Sequence, residues 1–114
     1  MHELSLAAYL LEAVCRQAEQ QAAERVLTIN LLVGERSGVV EDSLRFCFDL
    51  LAPETVAAGA ELRVRQTPMR FTCAACAADY APTPDSFVCP GCGKYGQVQD
   101  DGTDLVIESL EVQP

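Results

Sequence analysis

The chain has 114 residues, of which 49% are hydrophobic and 22% charged, and its formal net charge is −9. This length accommodates one compact domain with a core and at most a small additional module. The acidic excess repels phosphate backbones, and no apolar run reaches the roughly 20 residues that cross a bilayer, so we expect neither a nucleic-acid nor a membrane partner. The chain start lacks the basic stretch and cleavage pattern of a secretory signal, so we expect a cytoplasmic protein.

The first half of the chain predicts a helix followed by a strand. A long amphipathic helix is expected from Glu3 to about Glu24, because apolar residues recur there at intervals of three and four. These residues are Leu4, Ala7, Ala8, Leu11, Val14, Cys15, Ala18 and Ala22. A strand is expected from Val26 to Val33, with Leu27, Ile29, Leu31 and Val33 on one face and polar Thr28 and Asn30 on the other.

A second helix and two more strands complete the predicted layer. The helix places Leu44, Cys47, Phe48 and Leu51 on one side, with Glu41 and Asp42 in its first turn, where the helix dipole favours acids. A strand containing Leu62 and Val64 lies between Gly59 and Pro68, and the last strand runs from Thr103 to Val112. The predicted fold class is α/β (α+β), with a small three-stranded sheet packed with two helices.

A cysteine-containing segment, from Phe71 to about Gln97, interrupts this layer between its second and third strands. We therefore predict two domains: residues 1–68 plus 101–114 form the α/β domain, and residues 69–100 form an inserted module. The segment contains few large apolar residues, so its own core is too small to support it. Another source of stability is required.

Four cysteines in two pairs provide that source. Cys73 and Cys76 form one Cys-x-x-Cys knuckle, and Cys89 and Cys92 form a second one within a Cys-Pro-Gly-Cys-Gly sequence. Two such knuckles supply the four thiolates of a tetrahedral zinc site. With four protein ligands the coordination sphere is closed, so the zinc is expected to be structural and the inserted module to be a zinc ribbon.

Other interpretations of the six cysteines are less well supported. Disulfides are unexpected in a reducing compartment, and neither pair precedes a helical pattern, as a thioredoxin-like redox pair would. Iron in a rubredoxin-like site remains open, because tetrahedral sulfur ligation suits both metals. The remaining cysteines, Cys15 and Cys47, lie on the apolar stripes of the predicted helices and are expected to be buried thiols.

The amino terminus is a second candidate metal site. His2, the one histidine of the chain, is adjacent to the amine of Met1 and precedes Glu3. That amine, the His2 backbone nitrogen and the His2 imidazole can close two fused chelate rings, which suits the square-planar nitrogen coordination of Ni(II) or Cu(II). Glu3 can add its backbone nitrogen or its carboxylate. Alternatively, His2 is simply solvated and Glu3 stabilises the start of the helix.

Several sequence segments together resemble the HypA/HybF family of nickel metallochaperones, which mature nickel–iron hydrogenase. They are residues 1–5 (Met-His-Glu-Leu-Ser), residues 33–39 (Val-Gly-Glu-Arg-Ser-Gly-Val), residues 44–48 (Leu-Arg-Phe-Cys-Phe) and the two knuckles. The resemblance covers essentially the whole chain. It implies a nickel-binding α/β domain with an inserted zinc ribbon.

Site residues and partners also follow from this resemblance. It implies nickel binding by Met1, His2 and Glu3, and zinc binding by Cys73, Cys76, Cys89 and Cys92. It also implies two partners, a maturation GTPase and the hydrogenase large-subunit precursor. Some relatives have histidines beside the knuckles and also serve urease. This chain has none there, so a urease role is not carried over.

Two functional hypotheses follow. In the first, the chain is a nickel metallochaperone with nickel as cargo and a structural zinc ion, present as a monomer or homodimer. In the second, it is a zinc-ribbon adaptor between proteins that binds no nickel. An enzyme is not expected, because no nucleophile–base set, open metal site or phosphate-binding loop appears. A nucleic-acid-binding ribbon is disfavoured because Lys94 is the one cation of residues 71–97, opposed by Asp79 and Asp85.

Overall fold

The computed structural model describes residues 2–83 and 86–114, so Met1, Pro84 and Asp85 lie outside it. In chain order, its elements are α1 (Glu3–Gln20), β1 (Arg25–Gly34), α2 (Glu41–Leu51), β2 (Glu61–Thr67), β3 (Arg70–Thr72), β4 (Asp79–Tyr80), β5 (Gln97–Asp100) and β6 (Leu105–Gln113). No helix of the described residues is long and apolar enough to cross a membrane.

The chain forms two compact units. The helical unit comprises the chain up to Leu32, together with Gly38–Arg65 and Val106–Pro114. The ribbon unit comprises Val33–Ser37 and Gln66–Leu105. The division into folding domains at residues 1–68 plus 101–114 and 69–100 stays a prediction.

Helix α1 buries a stripe that differs slightly from the predicted one. Its buried residues are Ala7, Leu10, Val14 and Ala18, spaced at three, four and four residues. Leu10 therefore occupies the core position that the pattern assigned to Leu11, which is half-buried, and Leu4 is exposed. Adjacent leucines differ by about 100° around a helix, so the packing partner decides which of them turns inward.

The first helix ends at Gln20, earlier than the predicted Glu24. Ala22 adopts a left-handed conformation with φ of 52°. The N–H of Ala23 then donates to the Ala18 carbonyl at 2.9 Å, which closes the helix end. Glycine usually occupies such a position, and because alanine does so here the sequence contained no stop signal.

The sheet of the helical unit has the order β2-β1-β6. Strands β1 and β6 run antiparallel, because Glu24 N–H donates to the Gln113 carbonyl at 2.9 Å while the Asn30 amide donates to Ser109 Oγ at 3.0 Å. Helix α2 makes the connection between the neighbouring strands β1 and β2. The last strand begins at Leu105, two residues later than predicted.

Burial along the central strand β1 changes phase. Val26 and Thr28 are buried in its first part, and Ile29, Leu31 and Val33 are buried in the remainder. Leu27 is exposed, although the prediction grouped it on one face with Ile29, Leu31 and Val33, which are buried. Because Thr28 and Ile29 are both buried, the simple alternation on which that prediction relied does not continue through this point.

Helix α2 contacts α1, and its buried residues are Leu44 and Phe48. Cys47, predicted to be buried, is half-buried, as is Cys15 on α1. The predicted fold class is confirmed: two helices accompany a three-stranded sheet, and a four-cysteine ribbon is inserted between β2 and β6.

Two ion pairs cross the central strand of this sheet. Arg63 on β2 lies 3.7 Å from Glu111 on β6, and Arg65 on β2 lies 2.8 Å from Glu108 on β6. Since β1 separates these two strands, the arginine side chains extend over it. Exposed pairs of this kind each contribute at most about 1 kcal/mol, so they mark a solvated polar face.

The ribbon unit has its own sheet, in the order β4-β3-β5, with antiparallel pairing throughout. Phe71 on β3 faces Tyr80 on β4 and Val98 on β5. Its buried cluster consists of Met69, Phe71, Cys73, Tyr80 and Cys89. Two of these five residues are knuckle cysteines, so the core and the candidate metal site are continuous.

Residues 34–36 contact the two chain segments that lead into and out of the ribbon, mainly through hydrogen bonds. The N–H of Glu35 donates to the Thr67 carbonyl at 2.9 Å, and its carboxylate accepts the Met69 N–H at 2.8 Å. The N–H of Arg36 donates to the Gly102 carbonyl at 2.7 Å. A Cβ at Gly34 would lie 2.2 Å from that same carbonyl oxygen, so only glycine fits there.

Candidate metal sites

The first knuckle is a tight reversal of the chain at Cys73. Its N–H donates to the Ala78 carbonyl at 2.9 Å, and its carbonyl accepts the Ala77 N–H at 2.8 Å. Ala77 adopts a left-handed conformation with φ of 59°. This turn brings the Cys76 thiol back toward the thiol of Cys73.

The second knuckle repeats this hydrogen-bond pattern. The N–H of Cys89 donates to the Lys94 carbonyl at 2.8 Å, and its carbonyl accepts the Gly93 N–H at 2.8 Å. Gly93, which corresponds to Ala77 of the first knuckle, also has a positive φ, of 74°. The two Cys-x-x-Cys sequences thus fold in the same way despite their different composition.

The two knuckles bring all four sulfur atoms together. The Sγ atoms of Cys73, Cys76, Cys89 and Cys92 lie within 4.8 Å of one another. Cys73 and Cys92 are 3.3 Å apart, and Cys76 and Cys89 are 3.7 Å apart. Four sulfurs bound to zinc at about 2.3 Å in a tetrahedron are separated by about 3.8 Å. The donor set therefore fits a tetrahedral thiophilic ion.

The proton affinities of these thiols differ strongly. The backbone N–H of Cys76 and then the Cys92 thiol hydrogen-bond the Cys73 sulfur and lower its pKa to about 6. At Cys92 the backbone N–H of Lys94 lowers the pKa, but the Cys73 thiol and desolvation raise it more, to about 11. The pKa of Cys76 is also raised. An ion that binds all four thiolates must therefore displace protons, so its affinity falls as the pH falls.

Aromatic side chains belong to the same buried cluster as Cys73 and Cys89. The Phe71 ring meets the Tyr80 ring edge to face at 5.7 Å between centroids and stacks with the Phe87 ring at 5.9 Å. The Tyr80 hydroxyl donates to the Phe87 carbonyl at 2.7 Å and accepts the Gly96 N–H at 3.0 Å. Tyr80 thereby connects the segments before and after the second knuckle.

The two left-handed positions allow a matched test of the knuckle geometry. We expect Gly93→Ala to destabilise the zinc-loaded protein by about 1–2 kcal/mol, because an L-residue is strained at this φ. A Cβ there would meet no atom within 4 Å, so the cost comes from the backbone alone. We expect Ala77→Gly to be neutral or to stabilise by up to about 1 kcal/mol, since strain relief competes with unfolded-state entropy. Thermal unfolding of the full chain measures both, and a stabilising Gly93→Ala would contradict this account.

The amino-terminal residues lie at the start of α1. His2 is exposed and immediately precedes the helix, and its carbonyl accepts the Leu6 N–H at 3.0 Å. Glu3 is half-buried, and its carboxylate accepts the Val40 N–H at 3.5 Å. Met1, the third predicted nickel ligand, lies outside the described residues. The structure thus brings His2 and Glu3 close to the start of α2.

A cleft of about 650 Å³ opens beside these two residues. It is lined by His2, Glu3, Leu4 and Ser5 of the amino terminus and by Asp42, Ser43, Phe46 and Cys47 of α2. Sequence reasoning did not identify the α2 side of this cleft. The sequence did contain a sign of it. Phe46 and Leu50 are four residues apart, so they share one face of α2, away from the predicted apolar stripe.

Proteins of known structure share this fold over the full chain. The solution structure of the Ni metallochaperone HypA from Helicobacter pylori superposes with a TM-score of 0.68 at 26% identity, covering 99% of this chain and 98% of that one. A second solution structure, described as HypA protein, gives a TM-score of 0.70 at 25% identity and covers 98% of this chain and 96% of that one.

Sequence relatives agree with the structural neighbours. The hydrogenase maturation factor HypA of Dehalococcoides mccartyi strain 195 is 39% identical over 112 residues, which span 98% of this chain and 94% of that protein. The protein of the same name from Caldanaerobacter subterraneus subsp. tengcongensis is 35% identical over 114 residues, covering 99% of this chain and all of that protein.

A family model matches almost the entire chain. It covers residues 1–112 and is described as HypA, hydrogenase/urease nickel incorporation, metallochaperone. A metallochaperone carries a metal ion and does not catalyse a reaction, so the chain is not an enzyme. A role in hydrogenase maturation also implies contact with other maturation proteins. From this match, the relatives and the shared fold, we conclude that the chain belongs to the HypA family of nickel-incorporation metallochaperones.

Proposed function

We propose that this chain binds Ni(II) at its amino terminus and delivers it to the hydrogenase large subunit during maturation of nickel–iron hydrogenase. The observation that supports this most directly is the placement of His2 and Glu3 at the start of α1, where an open cleft adjoins them. The family to which the chain belongs is named for nickel incorporation, which gives the cargo.

The proposed nickel ligands are Met1, His2 and Glu3. Met1 contributes its amine, His2 its backbone nitrogen and imidazole, and Glu3 its backbone nitrogen or carboxylate. The first N–H groups of a helix have no intrahelical partner, so α1 does not require these backbone nitrogens. His2 is exposed, which leaves its ring accessible to the ion. Four nitrogen donors in one plane suit Ni(II).

The surroundings of this site favour reversible binding. A helix start carries a partial positive charge, which opposes a cation. The carboxylates of Glu3 and Asp42, which line the same cleft, offset that charge. A metallochaperone must release its cargo, and opposing contributions of this kind keep the ion exchangeable.

The four clustered cysteines are proposed to hold a structural zinc ion. Zn²⁺ fits the tetrahedral arrangement of Cys73, Cys76, Cys89 and Cys92, and iron is the alternative that sulfur geometry permits. Since all four ligands come from the protein, bound zinc leaves no open position for substrate. Its role is to stabilise the ribbon.

The proposed partners are a maturation GTPase and the hydrogenase large-subunit precursor, both met in the cytoplasm, with the chain acting as a monomer or homodimer. The family description names urease as well as hydrogenase. The proposal is restricted to hydrogenase, because His2 is the one histidine of the sequence and the knuckles have none beside them.

The test is a metal analysis and nickel titration of the purified, untagged chain with its native Met1. One zinc per chain together with an additional nickel site would support the proposal. One zinc with no nickel bound would leave the zinc-ribbon adaptor as the function. No tag is placed at the amino terminus, because it would remove the amine ligand.

A further inference from the structure

The four clustered cysteines contain two contacting pairs, and each pair joins one knuckle to the other. The Cys92 sulfur lies 3.3 Å from the Cys73 sulfur, and the Cys76 sulfur lies 3.7 Å from the Cys89 sulfur. In each pair one thiol is exposed and the other is buried: Cys92 and Cys76 are exposed, whereas Cys73 and Cys89 are buried. An accessible thiol next to a second, resolving thiol is the arrangement of cysteines that form disulfides under oxidation.

Cys92 is the sulfur that an oxidant reaches most directly, because its chain neighbours leave it uncovered. It lies between Gly91 and Gly93, which have no side chains. A Cβ at Gly93 would meet no atom within 4 Å, so the space on that side is open. Atoms about 3–3.5 Å apart are already close to a reactive geometry. The 3.3 Å between the sulfurs of Cys92 and Cys73 lies in that range, whereas the 3.7 Å of the other pair does not.

We propose that Cys92 is an oxidation site at which a hydroperoxide drives formation of a disulfide with Cys73, so that zinc is released and the ribbon stays folded without metal. This inference rests on the proposed structural zinc site, since zinc holds the cysteines as thiolates, which are the reactive form. Cys76 and Cys89 form the second disulfide, because the loss of two of the four ligands frees the other two.

Each disulfide consumes one peroxide molecule in two steps. The exposed thiolate attacks a peroxide oxygen: the S–O bond forms, the O–O bond breaks, and the hydroxide that leaves takes up a proton to become water. The peroxide is thereby reduced by two electrons, and the sulfur is oxidised to a sulfenic acid. The buried thiolate then attacks the sulfenic sulfur: the S–S bond forms, the S–O bond breaks, and a second hydroxide leaves and is protonated to water.

A disulfide between Cys73 and Cys92 replaces the connection between the knuckles that zinc provides. Its buried end, Cys73, belongs to the same cluster as Phe71 and Tyr80. The two cysteines are 19 positions apart in the sequence, whereas a disulfide within one knuckle closes a much shorter loop and leaves the knuckles unconnected. Since a cross-link restricts the unfolded chain more when it closes a longer loop, the disulfide between the knuckles is the one that keeps the ribbon folded.

The experiment treats the full, zinc-loaded chain with hydrogen peroxide. The reference is the same chain after a chelator has removed zinc under reducing conditions. A coloured zinc indicator measures release, tandem mass spectrometry of non-reduced peptides maps the disulfides, and amide spectra report the fold of the ribbon. A chain that carries both Cys15→Ser and Cys47→Ser is the matched control, because these two thiols lie outside the cluster.

We expect both proteins to release one zinc per chain and to form the disulfide between Cys73 and Cys92 first. The oxidised chain should keep the dispersed ribbon resonances that the reduced, zinc-free chain loses. Disulfides within a knuckle, retention of zinc, or loss of the ribbon resonances on oxidation would overturn the proposal. Ribbon resonances that persist in the reduced, zinc-free chain would instead overturn the structural role of zinc alone, because the disulfide map still tests the Cys92 site.

Discussion

Replacing Cys89 by serine should release zinc and unfold the ribbon unit while the helical unit keeps its structure. Cys89 is buried within the ribbon cluster, so its loss removes both a ligand and a packing contact. Structural zinc contributes about 10–16 kcal/mol to the folding of small domains. Ordering each residue costs about 1–2 kcal/mol of backbone entropy, and the five residues of the ribbon core cannot offset that cost alone.

Zinc content by elemental analysis and amide spectra of the full chain measure this result. The matched control is Cys47→Ser, because Cys47 is a half-buried thiol outside the cluster. The control should retain one zinc per chain and dispersed ribbon resonances. A Cys89→Ser protein that retains both would show that the ribbon folds without the four-cysteine site. Isolation of the wild type with the visible absorption of an iron–thiolate centre would instead identify iron.

His2→Gln should abolish specific nickel binding and leave zinc in place. The substitution removes the imidazole that closes one chelate ring, and we expect nickel affinity to fall by about 100-fold or more, which corresponds to about 2.7 kcal/mol. His2 is exposed and makes no side-chain hydrogen bond at the helix start, so folding should be unaffected. Competition titration with a coloured chelator provides the measurement.

A chain that carries a short extension before Met1 is the complementary variant, because it keeps His2 but converts the terminal amine into an amide. It should lose nickel binding to a similar extent. Unchanged nickel affinity in His2→Gln would show that the ion binds elsewhere. Loss of affinity in His2→Gln but not in the extended chain would remove the amine of Met1 from the ligand set.

Nickel binding should also weaken steeply as the pH falls. Backbone nitrogens bind Ni(II) only after losing their protons, and the amine and imidazole must be neutral, so each ligand competes with protons. Nickel titrations at several pH values between about 6 and 8 test this expectation. A pH-independent affinity would indicate carboxylate ligands in place of nitrogen.

Much of the fold could be predicted because its signals are local. Apolar spacing located both helices and the three strands of the main sheet, and the Cys-x-x-Cys spacing located the ribbon. Errors occurred where two neighbouring residues had similar character. Leu10 is buried in place of Leu11, and Leu27 is exposed. Contacts with elements that are distant in the sequence determine which of two similar neighbours is buried.

The sequence by itself determined the chemistry of the candidate sites. The pairing of the four cysteines and the position of His2 beside the chain start are properties of residue order, and the ligand types follow from them. Only the tertiary structure decided what surrounds those residues. The cleft beside His2 depends on the packing of α1 against α2, which turns Phe46 outward and leaves it exposed. The repeat of the first knuckle's geometry in the second, with Ala77 in a conformation usual for glycine, likewise depends on backbone hydrogen bonds that residue spacing does not encode.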